Sequence, residues 1–221
     1  MRKVTANVLI SLDGVMQAPG GPAEDRSGGF RHGGWSTPFW DQALVDAMTR
    51  YFDTPADLVL GRRTYEIFAS HWPSATDEPM ADRINAARKY VATRTLHDLD
   101  WHGSEVLPGD DAADAIEELK ESDGDNLAVH GSSGLLHSLL ERDLVDELQV
   151  VTFPVVLGVG KRLFEGGVRS GTMRVIDCRS FDTGVVVTTY VRDGDLVPGS
   201  FPDEPTEQEM TRRDKHDTEQ T

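Results

Sequence analysis

The feature of this 221-residue sequence that most restricts its fold is a unit that occurs twice. Each copy has a short apolar run, then a glycine turn, then apolar residues at helical spacing. The first run, 57–60, ends at Gly61, and the second, 126–130, ends at the turn 131–134. A buried strand that passes through a glycine turn into a helix is typical of a parallel sheet with helices packed on it. The two units therefore predict an α/β fold.

The rest of the chain supplies further strands for such a sheet. Alternating or continuous apolar runs predict strands over 4–10, 89–93, 106–107, 147–153, 173–180 and 185–191. Because the last two flank the turn Thr183-Gly184, we expect them to form an antiparallel hairpin. The sequence thus predicts a three-layer sandwich, with a mixed, mostly parallel sheet, helices on both faces and a C-terminal hairpin.

Two further segments have the spacing of helices. Ser36 and Pro38 fit a helix cap and a first-turn proline, so a helix is expected from there to about Phe52. An apolar stripe predicts another helix over 111–121. Before the first of these, the segment 17–35 contains six glycines and two prolines, which predicts a flexible surface loop.

Composition divides the chain near residue 193. The segment 194–221 has eight acidic and three basic residues, but only four large apolar ones among its 28. A segment this poor in apolar residues cannot bury enough surface to offset the entropy lost on ordering it. We therefore expect one domain over 1–193 and a disordered acidic tail over 194–221.

Charge and cysteine content exclude several classes of protein. The formal net charge is −16, so the field of the chain repels nucleic acid and anionic lipid. No run of about 18 apolar residues occurs, so no membrane span is predicted. Cys178 is the single cysteine, which leaves no disulfide framework and no cysteine-rich zinc site, and no other metal-ligand cluster stands out. We expect a reduced, cytoplasmic setting without nucleic-acid or membrane partners.

Both glycine turns fall where an α/β sheet usually binds its ligand, beyond the carboxyl ends of strands. Gly61 lets the backbone approach a phosphate, Thr64 offers a hydroxyl, and the turn 131–134 can cradle a pyrophosphate in the same way. Phosphate can also pair with three arginines that follow predicted strand ends: Arg62, Arg63 and Arg94. A glycine between strand and helix also occurs simply to allow tight packing, so the turns alone leave both interpretations open.

Five segments in this order resemble the dihydrofolate reductase superfamily: 60–66, 91–94, 131–134, 144–148 and 153–164. They read LGRRTYE, VATR, GSSG, LVDEL and FPVVLGVGKRLF. The similarity is closest to the branch that contains the reductase domain of the bifunctional riboflavin-biosynthesis deaminase-reductase. It extends over about residues 2–192 and implies the dihydrofolate-reductase-like fold.

The resemblance also implies that NADPH lies across the sheet. The residues implied to bind it are Ala6, Gly61, Arg62, Thr64, Thr93, Arg94, Gly131, Ser132, Ser133 and Gly134. Among these, Ala6 is implied to meet the nicotinamide carboxamide through its backbone. Thr93 and Arg94 are implied to bind the adenosine 2′-phosphate, and the two glycine turns to hold the other phosphates.

Two carboxylates are candidates for handling the proton that a reduction requires. Asp41 lies near the place where folate reductases carry an acid that helps to protonate the pterin. Asp13, with Gly14, is implied to open the mobile loop beside the nicotinamide. Each has a structural alternative, because Asp41 can stabilise the start of a helix and Asp13 can shape a turn.

The leading hypothesis is NADPH-dependent hydride transfer to a small heteroaromatic or carbonyl substrate. The resemblance suggests the pyrimidine reductase type, which reduces 5-amino-6-(5-phosphoribosylamino)uracil in riboflavin biosynthesis. A single cysteine cannot supply the zinc deaminase domain of the bifunctional enzyme, so only the reductase step is implied. The alternatives are a dihydrofolate reductase and a non-catalytic module that binds NADPH. The resemblance further implies a homodimer.

Overall fold

The computed structural model describes residues 1–76, 78, 80–166, 168–199 and 206–212. Within them the strands are β1 (Val4–Ser11), β2 (Ala56–Gly61), β3 (Lys89–Ala92), β4 (Ser104–Val106), β5 (Asn126–His130), β6 (Glu147–Phe153), β7 (Met173–Ser180) and β8 (Val186–Arg192). The α-helices are α1 (Gln42–Tyr51), α2 (Arg62–His71), α3 (Ala81–Ala86), α4 (Ala112–Glu121) and α5 (Ser133–Glu141).

These strands form one sheet, in the order β4-β3-β2-β5-β1-β6-β8-β7. Neighbours from β4 through β6 are parallel, whereas β8 runs antiparallel to both β6 and β7. The carboxyl ends of β1 to β6 therefore meet at one edge, which we call the carboxyl edge. This arrangement confirms the predicted mixed, mostly parallel sheet with a closing hairpin.

Helices cover both faces of the sheet, as predicted. On the face that we call the front, Leu44 of α1 packs with residues of β6 and β8, while Tyr65 of α2 and Ile84 of α3 pack with residues of β2 and β3. On the back, Ile116 of α4 and Leu136 of α5 pack with residues of β1, β5 and β6. Because side chains alternate along a strand, each strand of the central sheet contributes to both layers.

The helices after β2 and β5 leave the sheet on opposite faces, although these two strands are neighbours. The helix after β2, α2, lies on the front, and the helix after β5, α5, lies on the back. When the helices that follow two neighbouring strands lie on opposite faces of an open sheet, a crevice forms between them at the carboxyl edge. This crevice is the general ligand site of such folds. Both glycine turns border this crevice.

The first helix begins later than the sequence predicts. Instead of starting at Ser36, the chain forms a 3₁₀ turn over Thr37–Phe39, and α1 starts at Gln42. Asp41 has an extended backbone, with φ −106° and ψ 174°, and its carboxylate accepts a hydrogen bond from the N–H of Leu44 at 2.8 Å. The predicted start is therefore wrong by several residues, because Asp41 is the residue that caps the helix.

Two other segments bear on the sequence-based expectations. The six-residue helix α3 has no counterpart among them, since it is too short to show a helical period.

In the acidic tail, residues 200–205 and 213–221 lie outside the described residues. In the described first part of the tail, 194–199, Asp195 pairs with Arg169 at 3.3 Å and with Arg192 at 3.0 Å. The disorder of the tail and the domain boundary at 193 stay predictions.

Candidate active site

The two glycine turns are in direct contact at the carboxyl edge. The N–H of Gly61 donates to Ser132 Oγ at 2.9 Å, and Thr64 Oγ1 accepts from the N–H of Ser132 at 3.2 Å and from its Oγ at 2.9 Å. A Cβ atom on Gly61 would lie 3.3 Å from the Ser132 side chain, and one on Gly131 would lie 3.5 Å from Thr64 Oγ1. Glycine at Gly61 thus keeps the turns close, as the packing interpretation expects. The fold joins residues of both turns into one cluster.

The second turn leads directly into the start of α5. Gly131 and Ser132 both have left-handed conformations, with φ of 54° and 55°, and the N–H of Ser132 is occupied by Thr64 Oγ1, so the N–H groups left for an anion are those of the first turn of α5. At Gly134, in the first turn of α5, an added Cβ would meet nothing within 4 Å. Packing therefore does not require glycine at this position. Ser133 and Gly134 begin a helix whose first N–H groups have no partner within the helix.

The three arginines of the site differ in how their charges are neutralised. Arg62 pairs with Glu66 at 3.1 Å on the exposed side of α2. Arg94, which follows β3, donates to the carbonyl of Asp110 at 3.2 Å but forms no ion pair with a described residue. Thr93 Oγ1 accepts from two backbone N–H groups of the turn that follows it. Arg94 is thus the one of the three whose charge is left for an anion within the described part of the chain.

The third arginine, Arg63, holds the glycine-rich loop beside α2. Arg63 donates to both carboxylate oxygens of Asp25 at 2.9 Å, and Lys161 donates to the same carboxylate at 2.6 Å. Burial raises the pKa of Asp25, but hydrogen bonds from Lys161 and Ser27 outweigh it and hold this pKa below its usual value. The Gln17 amide also donates to backbone carbonyls of the loop. The loop predicted to be near the nicotinamide is thereby tied to the phosphate side of the crevice.

The Asp13 carboxylate, a predicted candidate acid, has several hydrogen-bond donors around it. It accepts from Ser11 Oγ at 2.7 Å and from the N–H groups of Leu157 and Gly158 at 3.0 and 2.8 Å, and Arg162 lies at 3.3 Å. The hydrogen bond from Leu157, followed by that from Ser11, lowers the pKa of Asp13 well below its usual range. An ionised carboxylate in this setting joins the end of β1 to the 154–163 loop, which favours its structural alternative.

Asp41, the other candidate acid, is the cap of α1 described above. Its carboxylate lies at the front of the sheet, since α1 packs there. No hydrogen bond among the described residues links Asp41 or Asp13 to the glycine turns. The structure therefore brings the two glycine turns into contact but shows no contact of either carboxylate with them.

A cavity of about 1020 Å³ lies on the front of the sheet, between α1 and α3. Thr5, Ala128 and Gln149 line it from the sheet, and Tyr51 and Phe52 line it from the end of α1. Ala6, the predicted nicotinamide contact, lines it as well. Charged residues also line it: Lys3, Arg50, Asp53, Asp57, Arg83, Arg88, Asp125 and Glu147. This volume suffices for a ligand of nucleotide size.

The wall of this cavity also covers a polar residue that the sequence did not single out. His130, the last residue of β5, is 5% exposed and directly precedes the second glycine turn. Its imidazole stacks on Phe52 with ring centroids 4.9 Å apart, and it contacts the rings of Tyr51 and Phe68. Burial lowers the pKa of His130 to about 4. A polar residue that ends an apolar strand just before a glycine turn is the signal that could have identified it.

Comparison with known protein families identifies the family of this chain. The profile of the RibD C-terminal domain matches residues 2–187. The chain belongs to the RibD C-terminal domain family. The match covers β1 to β7 and the first two residues of β8, so both glycine turns, His130 and all the cavity-lining residues except Met1 and Thr189 lie within it.

Two curated members of similar length come from Bacillus subtilis (strain 168). The protein YyaP is 23% identical over 197 residues, which cover 87% of this chain and 96% of YyaP. The protein YwjB is 27% identical over 192 residues, which cover 86% of this chain and 98% of YwjB. Both are named as uncharacterised proteins, so the similarity to them does not indicate a substrate for this chain.

Solved structures confirm the fold of this RibD C-terminal domain. A putative riboflavin biosynthesis protein from Shewanella sp. PV-4 has a TM-score of 0.66 at 22% identity, covering 86% of this chain and 99% of that one. A pyrimidine reductase-like protein from Corynebacterium diphtheriae has a TM-score of 0.57 at 13% identity, covering 88% and 93%. Acinetobacter baumannii RibD has a TM-score of 0.59 at 13% identity, and the match covers 87% of this chain and 58% of RibD.

The described residues contain neither a membrane-spanning helix nor a metal-ligand cluster. None of the helices in 1–76, 78, 80–166, 168–199 and 206–212 is long and apolar enough to cross a membrane. The same part of the chain contains no group of three histidine, cysteine or acidic side chains placed to hold a metal ion.

Proposed function

We propose that this protein is an NADPH-dependent reductase that transfers hydride to a small heteroaromatic or carbonyl substrate. The observation that carries the proposal is the contact between the two glycine turns at the carboxyl edge of neighbouring strands. Arg94, two residues past the end of β3, forms no ion pair with a described residue. Membership of the RibD C-terminal domain family and the likeness to a pyrimidine reductase-like protein support a substrate of the pyrimidine type.

The residues present fit a dinucleotide phosphate. The first N–H groups of α5, which have no partner within the helix, and the unfilled space at Gly134 suit a pyrophosphate, and Thr64 adds a hydroxyl. We propose that Arg94, with Thr93 beside it, binds the 2′-phosphate that distinguishes NADPH from NADH. When bound, NADPH supplies the hydride, while the protein orients the two reacting rings and excludes water from them.

We propose that the front cavity holds the substrate. Its inner end, at Ala6 and Ala128, lies on strands whose carboxyl ends border the crevice, whereas residues that precede strands, such as Lys3 and Asp125, line it at the amino edge of the sheet. For the proton, the hydrogen bonds made by Asp13 and Asp41 favour water as the donor, because both carboxylates already accept from backbone N–H groups. Asp13 and Asp41 keep their place as candidates for ordering that water.

Cofactor discrimination gives the direct test. NADPH should bind at least about tenfold more tightly than NADH, because charge-assisted hydrogen bonds to the 2′-phosphate typically contribute about 1.5–3 kcal/mol. Arg94→Ala should remove most of that preference, whereas the control Arg179→Ala, on β7 at the far end of the sheet, should keep it. Titration of both cofactors into the three proteins measures this. Equal affinity for NADPH and NADH in the native protein would contradict the assignment.

Turnover separates the reductase from its alternatives. We expect NADPH oxidation with a phosphoribosylamino-uracil substrate and not with dihydrofolate. Oxidation with dihydrofolate alone would favour the folate reductase. Tight NADPH binding without turnover on any pyrimidine or pterin would favour the non-catalytic module.

We also propose a homodimer. All eight residues of β7 are exposed, among them Met173, Val175 and Ile176, and β7 ends the sheet. A long edge strand with exposed apolar side chains usually pairs with another chain. Light scattering should give the mass of two chains for the native protein and a lower mass for Val175→Lys. A native mass of one chain would contradict this.

A further inference from the structure

The imidazole of His130 carries a hydrogen-bonding atom that no described residue of the chain satisfies. Its Nε2 atom is buried and has no hydrogen-bond partner among the described residues. More than nine in ten buried polar groups in proteins are paired, and an unpaired one is costly to keep. An exception beside a ligand site indicates a bond that is completed by the ligand.

His130 lies between the two parts of the proposed site. Along the chain it is followed by the turn at Gly131 and Ser132, and its own carbonyl lies 3.1 Å from Ser132 Oγ. Two residues earlier on the same side of β5, Ala128 lines the front cavity. Most of the cavity lies toward the amino edge of the sheet, and its inner end at Ala128 is the part next to His130. A substrate ring seated at that inner end would lie between the cavity and the turn that follows His130.

Two aromatic side chains separate the imidazole from the cavity, and they differ in how they are held. Tyr51 and Phe52 both line the cavity and both contact the His130 ring. Tyr51 is held by its hydroxyl, which donates to Thr5 Oγ1 at 3.2 Å. Phe52 has no such anchor, and it stands just past the last residue of α1, where the chain leaves the helix. A rotation of Phe52 would open the cavity to His130 without unfolding α1.

We propose that His130 determines which ring the enzyme accepts, by hydrogen-bonding through Nε2 to a neutral N–H or C=O on the edge of a heteroaromatic ring that enters when Phe52 turns away. This inference rests on the proposed reductase function and names the recognition residue of its substrate.

The neutral state of the imidazole defines the chemistry of the ligand group. Burial lowers the pKa of His130 to about 4, so at neutral pH the ring is uncharged and can donate or accept one bond at Nε2, according to its tautomer. A neutral ring nitrogen in an aromatic surround suits the N–H and C=O groups of a uracil-type ring. Charged parts of the substrate are better served by the charged residues that line the cavity, such as Arg50.

The test uses 5-aminouracil as the probe, with imidazole ¹⁵N NMR of the full chain. We expect saturable binding that shifts the Nε2 resonance of His130. The resonance of His137 is the internal control, because Nε2 of His137 already lies 2.8–2.9 Å from two backbone carbonyls. His130→Leu should weaken probe binding at least about tenfold, as expected for a lost buried hydrogen bond. His130→Gln, which keeps a polar group, should recover most of it, and Phe52→Ala should tighten binding.

The melting temperature and the NADPH affinity of His130→Leu are the controls for this experiment. His130→Leu removes an unpaired polar group from the core, so it should melt no lower than the native protein and bind NADPH unchanged. Equal 5-aminouracil affinity in the native and Leu proteins, or a probe that leaves the His130 resonance in place, would overturn the inference. Because the NMR arm needs no cofactor, it is distinguishable from failure of the proposed function, which would show as absent NADPH binding.

Discussion

The loop after β1 and the end of β5 lie at the same edge of the sheet, and each carries a partly or fully buried titratable group. Around Asp13, two backbone N–H groups, a serine hydroxyl and a guanidinium satisfy the carboxylate. Around His130, aromatic rings surround an imidazole whose Nε2 is left unpaired. The comparison teaches that residue type alone is a poor guide to a role in a site. The bonds of Asp13 are made within the chain and hold the structure, whereas the unpaired Nε2 of His130, beside the cavity and the second glycine turn, is open to a ligand.

The largest expected effect concerns pH and His130. The unfolded chain takes up this proton as pH falls through about 6.5, but the folded protein only near pH 4, so the unfolded state binds more protons between these values. Stability is therefore lost as pH falls through this window, by about 2–3 kcal/mol at pH 4.5. Urea unfolding of the native protein and His130→Leu at pH 7 and 4.5 measures it. Identical pH dependence in both proteins would show that His130 is not buried and neutral.

Removal of the Asp13 carboxylate should come next. Asp13→Ala leaves the N–H groups of Leu157 and Gly158 unpaired and releases Arg162, at an expected cost of about 2 kcal/mol in unfolding free energy. Chemical denaturation gives that value, and His130→Leu, which should lose no stability at pH 7, is the contrasting variant. If Asp13→Ala were fully stable but inactive, the carboxylate would act in the reaction, and the comparison would break down.

Asp41 offers a smaller test of the same kind. Asp41→Ala removes the cap of α1 and should cost about 1 kcal/mol, while Asp41→Asn keeps a good cap and should cost only a few tenths. Single-turnover NADPH oxidation should be unchanged in Asp41→Asn. A rate at least about tenfold lower at unchanged NADPH affinity would instead mean that Asp41 supplies or orders the proton.

The sheet and its crevice could be predicted because they depend on local patterns. Apolar runs at 57–60 and 126–130, each followed by glycine, marked the two strand ends that the fold brings together. The environment of His130 could not be predicted, because Phe52 reaches it from 78 positions away along the chain. The pairing of Asp25 with Arg63 and Lys161 is equally non-local. Spacing identifies residues near a site, but only the packing of distant segments decides which of them keep an unused hydrogen bond.

The smallest expected effect concerns the tail. Its first residues, 194–199, form ion pairs and hydrogen bonds with the body, whereas the composition of 200–221 predicts little packing. Truncation after Gly199 should leave the melting temperature and NADPH affinity unchanged, because the composition of 200–221 gives it little apolar area to bury. Truncation after Arg192 also removes Asp195, which pairs with Arg169 and Arg192, and the backbone bond from Thr172 to the Gly194 carbonyl. Exposed ion pairs contribute about 0.2–1 kcal/mol, so the second truncation should cost about 0.5 kcal/mol more than the first. Parallel denaturation of the two truncated proteins and the full chain measures the difference. A large loss already at Gly199 would mean that the acidic tail packs on the body or on a partner subunit, and the division of the chain at 193 would then be wrong.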